Sequence, residues 1–212
     1  MTFIDRFSTY HLDILREIGN IGAGHAATSL SKLLNQKIDM TVPAVRLVSF
    51  DEMMDIAGGP DRVIVSVFLR IEGDVPGSMF FIVPPEQADR LVRQLTGDTS
   101  FTFEDSSEND MAFSAILELG NILSGSYLSS LSDFTQLSIL PSVPSVSVDM
   151  VGAVLSYGLL ELSQQSDHAI VVDTSLNEGE ASGQEVNGHF FLLPDPDSFE
   201  TIFNALGVTE HE

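Results

Sequence analysis

The stretch DILREIGNIGAGHAATSLS, residues 13–31, has a second copy in the chain, SAILELGNILSGSYLSSLS, at residues 114–132. Eight of the 19 aligned positions are identical at a constant offset of 101 residues, and the same offset pairs Val42-Pro43 with Val143-Pro144. A long-range internal repeat constrains the architecture before any single motif is interpreted. The repeat predicts two related halves within one domain.

Both halves show the same succession of sequence patterns, within a single predicted domain over residues 1–212 that divides at about residue 100. Each begins with a helical period, continues as extended chain and ends with two strand-like runs and a short amphipathic helix. The first half predicts helix over 9–34, extended chain over 37–50, strands over 61–71 and 77–84, and helix over 84–97. The second predicts helix over 108–133, extended chain over 135–147, helix from 148, strands over 168–176 and 186–194, and helix over 195–207.

The composition argues against several classes of function. There are 31 acidic and 9 basic residues, a net charge of −22, and no cysteine. Such a surface repels phosphate groups, so binding to nucleic acid or anionic lipid is not expected. No apolar run is long enough to span a membrane, and the N-terminus has no signal-peptide pattern. The sequence predicts a cytoplasmic protein without membrane insertion.

The motif G-A-G-H-A-A, from Gly22, matches a dinucleotide-binding fingerprint but lacks its context. That fingerprint needs a hydrophobic strand before the glycines, and here the preceding residues have helical spacing. The second copy replaces it with L-S-G-S-Y-L. Nucleotide binding is therefore not expected.

A stripe of polar residues is what the repeat preserves. On a helix of about 100° per residue, the first copy brings Asp13, Glu17 and Asn20 within about 60° of one another. The second copy does the same with Ser114, Glu118 and Asn121. One copy alone would suggest a solvated helix face, whereas two copies indicate a duplicated site. The accompanying glycines serve either close packing or the approach of a partner.

These residues resemble the CheC family of chemotaxis phosphatases, which includes CheX and FliY, and among them the two-site CheC members most. The family signature is Asp or Ser, three residues, Glu, two residues, Asn, then 22 residues and Pro. The chain meets it twice, with Asp13, Glu17, Asn20 and Pro43, and with Ser114, Glu118, Asn121 and Pro144. The resemblance implies an α/β fold with pseudo-twofold symmetry, an extended antiparallel sheet, and two long signature helices side by side on one exposed face.

The resemblance also implies an activity, hydrolysis of the aspartyl phosphate on the response regulator CheY. In that scheme Asn20 and Asn121 position the attacking water, while Glu17 and Glu118 pair with a lysine of the regulator. Asp13, Ser114, Pro43 and Pro144 are supporting residues. The chain is expected to carry no cofactor or metal of its own, since the magnesium ion belongs to CheY and the five histidines have no metal-ligand spacing.

Two further implications concern partners. Relatives commonly bind the receptor deamidase CheD through a helix in the second half, and Asp149 matches a position associated with that contact. A helix N-terminal acid favoured by the helix dipole would explain Asp149 equally well. The alternatives to a phosphatase are a non-catalytic module that sequesters phosphorylated CheY or regulates CheD, and a structural component of the flagellar switch.

Overall fold

The order of secondary structure elements repeats, in agreement with the sequence repeat. The computed structural model describes residues 9–103, 110–162, 168–177 and 185–206. The first half contains α1 (Thr9–Leu34), β1 (Asp39–Thr41), β2 (Val45–Ser49), α2 (Phe50–Ile56), β3 (Val63–Gly73), β4 (Gly77–Val83) and α3 (Pro85–Thr96). The second contains α4 (Asp110–Thr135), β5 (Ile139–Pro141), β6 (Ser145–Met150), α5 (Val151–Leu162), β7 (His168–Asn177), β8 (Glu185–Pro194) and α6 (Pro196–Ala205).

The strands of the described residues form one antiparallel sheet of eight strands in which the halves interleave. The order is β1–β7–β8–β4–β3–β5, with β2 also paired to β7 and β6 also paired to β3. The short strands of each half therefore pair with a long strand of the other half. At the centre, β4 pairs with β8, with Phe80 opposite Phe191. Because all eight strands belong to one sheet, the two halves fold as one unit about a pseudo-twofold axis between β4 and β8.

Helices cover both faces of this sheet. Side chains along a strand alternate between its faces, and here apolar side chains emerge on both. Phe81 and Phe190 point to the face that packs against α1, α3, α4 and α6, and their rings are 4.6 Å apart. Phe80 and Phe191 point to the opposite face, where α2 and α5 lie. The consecutive phenylalanines therefore supply two separate cores from one pair of strands.

The two long helices, α1 and α4, lie side by side, as predicted from the resemblance. They are in tight contact where Gly22 meets Tyr127: a Cβ atom on Gly22 would lie 2.9 Å from the tyrosine ring and 3.0 Å from its Cα. The Tyr127 hydroxyl forms a buried hydrogen bond of 3.1 Å with Thr174 Oγ1, and burial raises the pKa of Tyr127 to about 12. Only glycine at position 22 permits this crossing.

The predicted elements are confirmed, with two corrections. Helix α2 was not predicted, although its start has the S-x-x-E signature of a capping box: Ser49 Oγ accepts from the Glu52 amide, and Glu52 Oε2 accepts from the Ser49 amide. The helix predicted from residue 148 is present but begins three residues later, because β6 continues to Met150 and α5 begins at Val151. Asp149 therefore lies in a strand. None of the helices described is both long enough and apolar enough to cross a bilayer.

Candidate functional site

The polar stripe of each long helix faces outward. On α1, Asp13 and Glu17 are exposed and Asn20 is half-buried, and on α4 the corresponding Ser114, Glu118 and Asn121 are all exposed. The apolar sides of the same helices are buried, with Ile18 and Leu119 in the core. Neither copy is enclosed, so another protein could reach both.

The two glutamates are free to pair with a partner. Within the part of the chain that the structure describes, neither Glu17 nor Glu118 has a hydrogen bond or an ion pair. Their neighbours differ, since Asp13 pairs with Arg16 at 3.2 Å and the position equivalent to Arg16 is Leu117 in the second half. The first stripe contains a cation of its own, and the second does not.

The amide of Asn20 is held by its own chain. Its Oδ1 accepts a hydrogen bond from the backbone N–H of Val42 at 2.9 Å, and its Nδ2 donates to the carbonyl oxygens of Arg16 at 3.0 Å and Val42 at 3.3 Å. Both ends of the amide are therefore occupied. These bonds fasten α1 to the chain between β1 and β2.

The amide of Asn121 has no such restraint. Its side chain is exposed and makes no hydrogen bond within the described residues. Its donor and acceptor atoms are both available to a water molecule or a partner. The two asparagines, which occupy equivalent positions of the sequence repeat, are thus in different states.

A bulge lies beside each asparagine, at opposite edges of the sheet. In the first half, residues 42–44 lie opposite two residues of β7, and in the second half residues 142–144 lie opposite two residues of β3. The sequence repeat aligns Val42 with Val143, and the pairing register on both sides of the bulge is the same in the two halves. The two valines nevertheless differ in packing, since Val42 is 2% exposed and Val143 is 91% exposed.

The signature prolines lie in these bulges. Pro43 is exposed, whereas Pro144 is half-buried. The bulges are tied to the sheet differently: Ala44 accepts a hydrogen bond from the Asp173 amide, while Ser142 bonds the backbone of Arg70 in both directions. The prolines therefore help to shape the chain beside the asparagines and do not face a partner equivalently.

The glycines of the stripes fall into two groups, one packed against neighbouring side chains and one facing open space. A Cβ on Gly19 would contact Val42 at 3.3 Å, and one on Gly120 would lie 2.6 Å from Val67, so these glycines serve packing. A Cβ on Gly24 or Gly125 would meet nothing within 4 Å. These two follow the asparagines by one helical turn, on the outward face. They leave the surface flat beside each asparagine.

Asp149 lies apart from both stripes. It is exposed near the end of β6, opposite Ile64, and its Oδ1 accepts a hydrogen bond from the Met150 amide at 2.7 Å. It therefore precedes α5 by two residues and cannot be one of its helical residues. The sequence analysis considered it a helix N-terminal acid, whereas it lies in strand β6.

Possible metal ligands do not gather anywhere in the described part of the chain. No group of three or more His, Asp or Glu side chains there is arranged to hold an ion. His189 lies 2.9 Å from Asp173 on the sheet, away from both stripes. A magnesium ion, which the resemblance assigns to the regulator, has no candidate ligand set among these residues.

Together, the fold and the two stripes define a class: a pseudo-twofold α/β protein that carries a duplicated Glu–Asn site on paired exposed helices. The chain belongs to the CheC-like family, whose model matches residues 11–47 and 111–148, the two segments that contain the stripes and their prolines. It is 54% identical to the CheY-P phosphatase CheC of Bacillus subtilis over 209 residues, which are 99% of this chain and 100% of that protein.

One further relative and one solved structure are also similar to this chain. The flagellar motor switch phosphatase FliY of Bacillus subtilis is 32% identical over 220 residues, and this chain spans 53% of its length. The crystal structure of Thermotoga maritima FliY superposes with a TM-score of 0.77 at 19% identity, covering 97% of this chain and 100% of that one. The latter comparison confirms the fold.

Proposed function

We propose that this protein is a CheY-P phosphatase that uses its two Glu–Asn stripes to hydrolyse the aspartyl phosphate of the response regulator. The protein is a hydrolase of the chemotaxis system, and CheY is its partner. The observation that carries the assignment of the site is the duplicated, outward-facing Glu–Asn pair in a chain 54% identical to a CheY-P phosphatase. The cytoplasmic location remains a prediction.

The reaction makes few demands on this protein. Water attacks the phosphorus atom, the bond from phosphorus to the aspartyl oxygen breaks, and inorganic phosphate leaves with the regulator's carboxylate restored. A carboxylate departs readily, so the main requirement is to place one water in line with the breaking bond. An amide suits this task because its oxygen accepts and its nitrogen donates to the same water. Asn121 can do so as it is, whereas Asn20 must first release Val42.

The glutamates fix the position of the regulator. A carboxylate one helical turn before the asparagine can pair with a lysine beside the phosphorylated aspartate, which sets the register of the docked surfaces. Glu118 suits this role because it is exposed and Leu117 beside it offers no competing cation. Magnesium, when bound to the regulator, supplies charge stabilisation to the phosphoryl group.

A second partner, the receptor deamidase CheD, belongs to the same proposal. The support is the exposure of Asp149 and Met150 at the end of β6, immediately before α5 and away from the stripes. Asp149→Lys is expected to weaken CheD binding while leaving phosphate release from CheY-P unchanged. Equal binding of CheD by the variant and the parent protein would contradict this contact.

The test of the activity is release of inorganic phosphate from phosphorylated CheY with the protein at a substoichiometric concentration. Many phosphates released per molecule are expected. A single stoichiometric effect, or protection of the phosphoryl group, would instead identify a non-catalytic module that sequesters CheY-P. The variant Asn20→Ala/Asn121→Ala, with binding of CheY-P measured in parallel, separates a lost reaction from lost docking.

A further inference from the structure

Residues 134–148, FTQLSILPSVPSVSV, contain no charged side chain, although the whole protein has a net charge of −22. They comprise the end of α4, all of β5, the second bulge and most of β6, at one edge of the sheet. The matching segment of the first half, residues 33–47, carries Lys37, Asp39 and Arg46. The neutral edge strand is therefore a property of the second half alone.

Apolar side chains of this neutral segment point into solvent. Val143 is 91% exposed, Leu140 58% and Phe134 55%. Single exposed apolar residues are normal on a protein surface. Val143 is different because its counterpart, Val42, is almost fully buried. A side chain exposed to this degree contributes almost nothing to the packing of its own fold.

Val143 lies beside the turns of α4 that carry the second site. Helix α4 is fixed to this edge at two points. At the first point, Gly120 lies over Val67, which pairs with Val146 of β6. At the second, Ser132 Oγ donates a hydrogen bond to the Leu137 carbonyl at 2.6 Å. Along the edge, Val143 falls between these two points. Along the helix, Asn121 and the open space at Gly125 fall between them too.

We infer that Val143 is a recognition residue of the second site, where it makes an apolar contact with the phosphorylated regulator as Asn121 enters the phosphoryl pocket. The inference rests on the proposed function and adds a contact that the signature does not contain. The favoured occupant is the regulator because the patch continues the surface that carries Glu118 and Asn121. A second copy of this chain is disfavoured, since two molecules of charge −22 repel each other.

The contact distinguishes the two sites. At the first bulge the valine is turned inward against Gly19, so that site offers no equivalent apolar contact. A regulator would therefore gain binding energy at the second site that the first cannot provide. Burial of one valine at the centre of an interface corresponds to roughly a tenfold change in affinity or more.

The test is the variant Val143→Asp, with Val143→Thr as a change that keeps the shape and removes only apolar surface. Phosphate release is measured against the concentration of phosphorylated CheY. We expect Val143→Asp to raise the half-saturating concentration by about tenfold. The maximal rate should change less than about twofold, because Asn121 is intact. Val143→Thr should shift the half-saturating concentration in the same direction by a smaller factor.

A matched control adds the same charge elsewhere on the sheet. Val63 is 47% exposed at the start of β3, six residues from the position opposite the second bulge, or roughly 20 Å along the strand. Val63→Asp should leave the half-saturating concentration unchanged. Equal curves for the Val143→Asp and Val63→Asp variants, or a loss of maximal rate alone, would overturn the inference. So would a change in molecular mass by light scattering, which would indicate a second copy as the occupant.

Failure of the proposed function would look different. In that case the parent protein itself would release no phosphate from CheY-P. The contact is then tested by binding of CheY activated with beryllofluoride and magnesium, measured by calorimetry. Weaker binding to the Val143→Asp variant than to the Val63→Asp variant supports the contact, and equal binding refutes it.

Discussion

Asn20 and Val42 hold each other through a pair of opposed hydrogen bonds, in which the amide oxygen accepts from the valine N–H at 2.9 Å and the amide nitrogen donates to its carbonyl at 3.3 Å. Their counterparts Asn121 and Val143 make no such pair, and Val143 is 91% exposed. The same short sequence thus fastens a helix to a sheet edge in one half and leaves it open in the other. The consequences can be measured separately as activity and as stability.

The first prediction concerns catalysis. Asn121→Ala should lower the maximal rate of phosphate release from CheY-P by roughly tenfold or more, because the amide that positions water without prior rearrangement is lost. Asn20→Ala should lower it by less than about twofold, since that amide must first leave Val42. Steady-state phosphate release with each single variant and with the double variant checks this. Equal losses in the two single variants would contradict an unequal pair, while full activity in the double variant would reject the asparagines altogether.

The second prediction concerns folding. Asn20→Ala removes the hydrogen bonds that tie α1 to the first bulge, so the free energy of unfolding should fall by roughly 1–3 kcal/mol. Asn121→Ala removes no hydrogen bond and should change it by less than about 0.5 kcal/mol. Urea denaturation followed by circular dichroism gives both values. A larger loss for Asn121→Ala would be incompatible with a free amide in the second half.

The internal repeat made much of this fold predictable. The helical and alternating patterns, together with the duplicated Glu–Asn stripe, correctly indicated both long helices, both strand pairs and the outward position of Glu17 and Glu118. Helix α2 was not predicted because it is seven residues long, which is too short for a helical period to be recognised. Its capping box at Ser49 and Glu52 was the available signal.

The asymmetry of the two sites could not be predicted in the same way. The aligned motifs Val42-Pro43 and Val143-Pro144 suggest equivalence, and the pairing register around them is the same in both halves. The asymmetry lies in side-chain packing, since Val42 is buried against Gly19 whereas Val143 is exposed. Packing between distant elements is not encoded in the local sequence pattern.

The third prediction separates the two kinds of glycine. A Cβ on Gly120 would lie 2.6 Å from the buried side chain of Val67, so Gly120→Ala should destabilise the protein by roughly 1–3 kcal/mol. A Cβ on Gly125 would meet no atom within 4 Å. Gly125→Ala should therefore be neutral or stabilise the protein by up to about 1 kcal/mol, the usual gain of alanine over glycine in a helix. Thermal and urea unfolding of the two variants provide the comparison. Similar destabilisation by both would show that the surface at Gly125 is not open.

The fourth prediction concerns docking at the second site. Glu118→Gln keeps the size of the side chain and removes the charge that is proposed to meet a lysine of CheY. The half-saturating concentration of CheY-P should rise by roughly tenfold, because a charge-assisted pair at an interface is lost. Glu17→Gln serves as the matched control and should have a smaller effect, since Arg16 already supplies a cation to that stripe. An unchanged half-saturating concentration for Glu118→Gln would remove the glutamate from the docking scheme.

The fifth prediction concerns acid stability and links the sheet to the first bulge. Burial alone would raise the pKa of Asp173, but hydrogen bonds from His189 at 2.9 Å and from Arg46 at 2.8 Å, together with their charges, hold it below the ordinary 3.8. A carboxyl whose pKa is lower in the folded state stabilises the protein above its unfolded-state pKa, and this contribution is lost as the pH falls through the folded-state value. The advantage in unfolding free energy of the parent protein over Asp173→Asn should therefore shrink as the pH falls below about 4. Urea denaturation at a series of pH values measures it, with the exposed Asp149→Asn as the control.

Because the Asp173 amide also donates to Ala44 at 3.0 Å, loosening this cluster should expose the bulge that holds Asn20, detectable as faster hydrogen exchange at Val42. An advantage that does not change with pH, with unchanged exchange at Val42, would contradict the role assigned to the carboxylate.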